Sequence, residues 1–235
     1  MKKALSLVLT AAIGVSCLAA CSKAPAETET SAAETTVEET QTSETTEAAE
    51  TTAADTEVTP ELNDLFEQAL QGFVGVGYTP EFYLGSFDNG DTIHCFLCES
   101  TTITANPVSY WSFVFVLDDG AGNVSIAKVC QPDYACINVY DGDFLATEVQ
   151  TEPVPGGWEE TMDFEVTDDR LAEFRLANII YMPVALLATQ VVAGMNYIYL
   201  ATDDDGNLSI VEIYVDLDGD ASTLGAMSLN IESLY

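Results

Sequence analysis

Residues 181–201 read YMPVALLATQVVAGMNYIYLA, and residues 78–98 read YTPEFYLGSFDNGDTIHCFLC. Set side by side they align without a gap. Tyr181 falls on Tyr78, Pro183 on Pro80 and Leu187 on Leu84. In each, an apolar run leads to a short turn and a second apolar run, the pattern of a β-hairpin. A repeat at this distance sets the organisation of the whole chain. Each copy follows an acidic segment with helical character. In the first, 59–73, Thr59 is a natural N-cap and Pro60 suits the first helical position. Leu62, Leu65, Phe66, Ala69, Leu70 and Phe73 fall on one face at helical spacing. In the second, 167–180, Thr167 caps and Leu171, Phe174, Leu176, Ile179 and Ile180 make a rougher stripe.

More strand-like runs follow each copy. They span 110–117 and 124–129 in the first half, and 208–217 and 223–229 in the second. Asp118, Asp119 and Gly120 open the turn in one, and Asp203 to Asn207 form a hairpin turn in the other. Each half therefore reads as one helix followed by about four antiparallel strands. The expected fold class is α+β, in two tandem units covering 60–150 and 151–235.

The charge is unevenly spread. The 235 residues carry 39 acids and 6 bases, a formal net charge of −33, yet 48% are hydrophobic. Residues 24–59 hold ten acids, twelve threonines and no base. Such a stretch buries too little apolar surface to offset its chain entropy. Residues 21–59 are therefore expected to be a disordered acidic tether, of which 24–59 could stretch to about 120–130 Å. Residues 60–235 carry 29 acids against Lys128, Arg170 and Arg175, a net of −26. That balance excludes nucleic-acid binding through basic patches.

Ahead of the tether, Lys2 and Lys3 precede an apolar stretch, 4–20, that is short and rich in alanine, as in a secretory signal. It ends Leu18-Ala19-Ala20-Cys21-Ser22. This resembles a bacterial lipobox. The resemblance implies cleavage after residue 20, lipid on Cys21, and anchoring to the outer face of the cell membrane.

Gln190-Val191-Val192-Ala193-Gly194 has the Q-x-V-x-G pattern of cystatins, followed by Met195-Asn196-Tyr197. Cystatins are reversible inhibitors of papain-like cysteine proteases, built from one helix wrapped by an antiparallel sheet. Here the motif stands after a helix and one strand, where that family has its first hairpin loop. Gly156 and Gly157 resemble the cystatin N-terminal trunk, the second part of the inhibitory wedge. The third part, a Pro-Trp pair in the next hairpin loop near 219–226, is absent. The corresponding loop of the first half, 87–91, has lost the motif, so 60–150 reads as a degenerate cystatin-like unit. The resemblance implies a protease partner and no cofactor. The alternative is a non-inhibitory extracellular interaction module on the same scaffold.

No catalytic constellation stands out, and an enzyme is not expected. His94 is the sole histidine, flanked by Cys95 and Cys98. On a strand His94 and Cys95 face opposite ways, and His94 and Cys98 lie about 13 Å apart. A mid-strand C-x-x-C suits neither zinc nor redox chemistry. Of the three ways to pair Cys95, Cys98, Cys130 and Cys136, a Cys130–Cys136 disulfide across a small loop is favoured. The 216–222 stretch has calcium-loop spacing in part, but Met227 occupies the position of the bidentate acid. No metal site is expected.

Overall fold

The computed structural model describes residues 55–137, 142–148, 156–177 and 180–235. Cys21, the signal stretch and the tether up to residue 54 lie outside them. The described residues all fall within one unit, Ala48–Tyr235.

The first half begins with α1 (Pro60–Ala69), followed by β1 (Val76–Asp88), β2 (Thr92–Thr102), β3 (Ser109–Asp118) and β4 (Val124–Pro132). A 3-10 turn (Tyr134–Cys136) leads to the short β5 (Ala146–Thr147). The second half has β6 (Glu159–Glu160), α2 (Asp168–Ala177), β7 (Tyr181–Val192), β8 (Gly194–Asp203), β9 (Leu208–Val215) and β10 (Ala221–Ser228). A final turn of helix, α3 (Ile231–Leu234), follows. Two five-stranded antiparallel sheets result, in the orders β1-β2-β3-β4-β5 and β10-β9-β8-β7-β6. The expected α+β class and the two helix-plus-sheet halves are thus present. The two-residue strands β5 and β6 are too short to carry a sequence pattern.

The repeat extends to the irregularities of the ladders. β1 and β2 slip register between Pro80 and Phe82 and again between Tyr83 and Gly85. β7 and β8 slip between Pro183 and Ala185 and between Leu186 and Ala188, the equivalent positions. Proline cannot donate to a ladder, so it fits beside a bulge. The residues in the second slip of each pair, Leu84 and Leu187, both reach the shared core. At the same repeat position, Tyr83 N–H donates to the Thr56 carbonyl and Leu186 N–H to that of Phe164.

Both faces of each sheet are covered, which is why the central strands read as nearly unbroken apolar runs. Phe66 and Ala69 of α1 pack on Phe96, Cys98, Val114 and Val116 of sheet 1. Phe174 of α2 packs on Tyr197, Tyr199, Val211 and Ile213 of sheet 2. The other faces meet in one interior: Ile93, Leu97, Phe113 and Phe115 from sheet 1 share a core with Leu187, Ile198, Leu200 and Ile210 from sheet 2. The order of layers is α1, sheet 1, sheet 2, α2. The halves expected as tandem units therefore share a hydrophobic core, which neither could complete alone.

Three sequence expectations change. Residues 55–59, assigned to the tether, belong to the fold: Val58 packs against the α1 core, and Thr59 accepts from Leu62 N–H at 3.4 Å as N-cap. Thr167 caps α2 as expected, but among the described residues of the proposed stripe Leu176 and Ile180 are exposed and only Phe174 is fully buried, while Ile179 lies outside the described residues. The expected Cys130–Cys136 disulfide is not formed. Cys130 faces the Leu234 carbonyl at 3.9 Å and Cys136 the Met227 sulfur at 3.7 Å, and both are free thiols. The strand and the turn that follows it aim the two side chains at different parts of the core.

Candidate functional site: one end of the second sheet

The β7–β8 hairpin pairs Val191 with Met195 and Val192 with Gly194, leaving Ala193 at its apex. Val191 is 68% and Val192 43% exposed. Gln190 does not point away with them. Its amide Nε2 donates to the Gly156 carbonyl at 2.8 Å, and its Oε1 accepts from Asn196 Nδ2 at 2.9 Å. Asn196 is buried and directly opposite Gln190 in the ladder. The glutamine of the motif thus ties the hairpin to the segment holding Gly156 and Gly157. The two glycine positions proposed from sequence and the 190–194 loop are brought together. Beyond them, Glu159 pairs with Thr189 to start β6.

Gly194 is required by geometry. Its φ is +132°, and any side chain would run into the Val215 carbonyl and the Tyr214 ring. This close approach joins the hairpin to β9, and the Tyr214 hydroxyl donates to the Ala193 carbonyl across the same gap. The turn between β9 and β10 completes the edge. Asp216 Oδ1 accepts from Asp218 N–H at 2.8 Å and Asp220 N–H at 2.9 Å, folding the loop around its own carboxylate. This leaves Leu217 84% exposed. Among the described residues no group of three or more His, Cys, Asp or Glu side chains is arranged to hold a metal ion.

Sequence reading missed Leu217, the contact of Tyr214 with Ala193 and the Gln190–Asn196 contact. The last was within reach, because a one-residue apex at Ala193 forces those two residues opposite each other. Leu217 carries no such signal. Its exposure depends on the Asp216 turn.

The other candidates come apart. The β1–β2 turn, at the repeat position of 190–194, is acidic and closes on itself, with Asp88 Oδ1 accepting from Gly90 N–H at 2.8 Å. His94 Nδ1 meets the Tyr83 hydroxyl at 3.1 Å, and burial pulls its pKa down while Asp118 opposes the shift. Cys95 and Cys98 lie on opposite faces of β2, in the shared core and the α1 core. Burial drives both thiols well above their usual pKa, far from the thiolate character of a nucleophile. A cavity of about 550 Å³ lies at the far end of sheet 2, lined by Leu84, Tyr181, Asp203 and Asn230 among others. Asp203 is engaged with Asn207, and Asn230 with Asp143 and the start of α3.

One half-buried ionisable group bridges the halves. Glu160 Oε2 accepts from Trp111 N–H at 2.9 Å, and the Trp111 indole N–H donates to the carbonyls of Thr161 and Leu187. Burial pushes the Glu160 carboxyl up to about 7, against the lowering effect of the Trp111 N–H and Tyr134.

No protein-family model matches the chain, and no curated protein matches it. The functional reading therefore rests on this geometry and on the sequence motifs.

Proposed function

We propose that the protein is an exported, lipid-anchored inhibitor of papain-like cysteine proteases, with a cystatin-like second half. The observation that carries this reading is the exposed 190–193 hairpin held against Gly156 by the Gln190 side chain. The succession β6, α2, β7 to β10, with the strands adjacent in chain order, agrees with a single helix wrapped by an antiparallel sheet. The first half serves as the packing partner that covers the inner face of the second.

Inhibition here is occlusion. Val191, Val192 and Ala193 bury apolar surface beside the catalytic cysteine of the target, worth about 25 cal/mol per Å² before association costs. The hairpin offers no extended peptide for attack, and its anchoring on both sides limits the entropy lost on binding. The Pro-Trp pair of cystatins is absent from the 216–220 turn, where Leu217 supplies the exposed apolar side chain. Titration of the full chain against several papain-like proteases tests the reading. Inhibition is expected, weakened about 100-fold or more by Val191→Asp. Intact folding with no inhibition at tens of micromolar would leave only a non-inhibitory interaction module. Fatty-acid labelling that is lost in Cys21→Ala checks the anchor.

A further inference from the structure

The edge formed by Val191, Val192 and Leu217 is apolar at its tips, and the charged side chains exposed on its segments are all acidic. Glu159 is exposed at the start of β6, and Asp218 and Asp220 are exposed on the β9–β10 turn. Segments 156–160, 186–196 and 214–221 contain no lysine or arginine. The three bases of residues 60–235 lie outside these segments, with Arg170 in contact with Tyr197 of β8, three residues from Gly194. Lys128 donates to the carbonyls of Leu234 and Tyr235, Arg170 is held by Glu173 and Tyr197, and Arg175 sits in the last turn of α2.

The acids on the turn divide into two kinds. Asp216 is spent on the fold, since its carboxylate accepts from the turn's own backbone. Asp218 and Asp220 contribute only backbone groups to that network, and their side chains are exposed beside Leu217. Solvated acids serve a hairpin turn well enough. Their position beside apolar side chains on a locked turn gives them a further consequence. Whatever receives Leu217 must also meet these carboxylates.

We propose that this edge fits a cleft with an apolar floor and a rim of lysine or arginine, and that Asp218 and Asp220 select for that rim. The inference rests on the inhibitory reading above and adds the charge of the partner. Opposite charges around an apolar contact speed encounter and reject partners of like charge. A cleft rimmed by aspartate or glutamate would bring like charges together as the tips enter.

The test uses the full chain and one papain-like protease with its catalytic cysteine blocked by carbamoylmethylation. Two forms of that protease are made, with lysine or with glutamate at the rim of the cleft. Association is followed by stopped flow at about 20 and about 300 mM NaCl, salt levels that bracket weak and strong screening. The lysine-rimmed form is expected to associate about tenfold faster at low salt, with the advantage fading at high salt. The double variant Asp218→Asn, Asp220→Asn should lose most of that advantage while keeping its near-UV circular dichroism. Equal rates for the two rims, or an unchanged salt dependence in the double variant, overturn the charge inference. If Val191→Asp still abolishes binding in that case, the inhibitory reading survives alone. Failure of the unmodified chain to bind either form at tens of micromolar overturns both.

Discussion

The two hairpin tips at equivalent repeat positions, 88–91 and 191–194, sit on scaffolds that share their strand pairing down to two slips of register. The first tip is polar and satisfied by its own Asp88. The second is apolar, exposed and tied to its neighbours on both sides. The scaffold therefore does not dictate what a tip presents. A bulge position is a property of the ladder, and a tip is free to diverge because few contacts constrain it. The same contrast appears under the helices. α1 rests on Phe66 and Ala69 with Leu62 and Leu65 beside them, whereas α2 fully buries only Phe174, with Ala177 beside it.

Breaking the helix contrast should have the largest effect. Phe174→Ala removes the sole fully buried side chain of α2, which stacks edge-on against Tyr199 at 5.0 Å. A loss of about 4 kcal/mol is expected in urea unfolding, together with lost amide protection through α2. Phe66→Ala should cost a similar amount, but α1 should stay protected by its remaining apolar contacts. Equal loss of protection in both helices would erase the distinction.

Next comes the junction between halves. Below about pH 4.5 the Glu160 carboxyl is protonated whether the chain is folded or not. As pH rises from 4.5 to about 7, the unfolded chain gives up this proton and the folded chain retains it. Stability from this group therefore falls across that window and levels off above it, by about 3 kcal/mol in all. Glu160→Gln should remove that part of the pH dependence, read as the difference between the two stability–pH curves. Parallel curves would show that the halves are not joined through a half-buried, titrating carboxyl.

The tips themselves give a smaller contrast. Gly194→Ala meets both an unfavourable φ and the Val215 carbonyl, so about 2–3 kcal/mol is expected. Gly90 also has positive φ, +89°, but a methyl group added there would meet nothing within 4 Å. Gly90→Ala should cost only about 1 kcal/mol. Urea midpoints of the two variants make the comparison, and equal costs would mean that the second tip is not wedged against β9. Smallest is Gln190→Ala, at about 1 kcal/mol for the lost hydrogen bonds, with faster amide exchange near Gly156 as its signature.

Much of this architecture was legible in the chain. The repeat, the caps at Thr59 and Thr167, the hairpin at 190–194 and the mid-strand placement of Cys95 and Cys98 all follow from local chemistry and spacing. Caps, turns and strand periodicity involve neighbours in sequence, so sequence records them. Other features were hidden. The weak stripe of α2 gave no hint that Phe174 would be its one fully buried side chain. The expected Cys130–Cys136 pair was plausible by spacing, yet the two thiols face different parts of the core.

The sequence by itself determined two helix-and-sheet halves and an uncharged loop at 190–194. Only the tertiary structure decided that the halves share one core, because apolar runs covered on both faces do not say what covers each. It also decided the candidate edge. Gly156, Gln190 and Leu217 are far apart in the chain, and they meet at one end of sheet 2 because antiparallel pairing returns β7, β8, β9 and β10 to the same border.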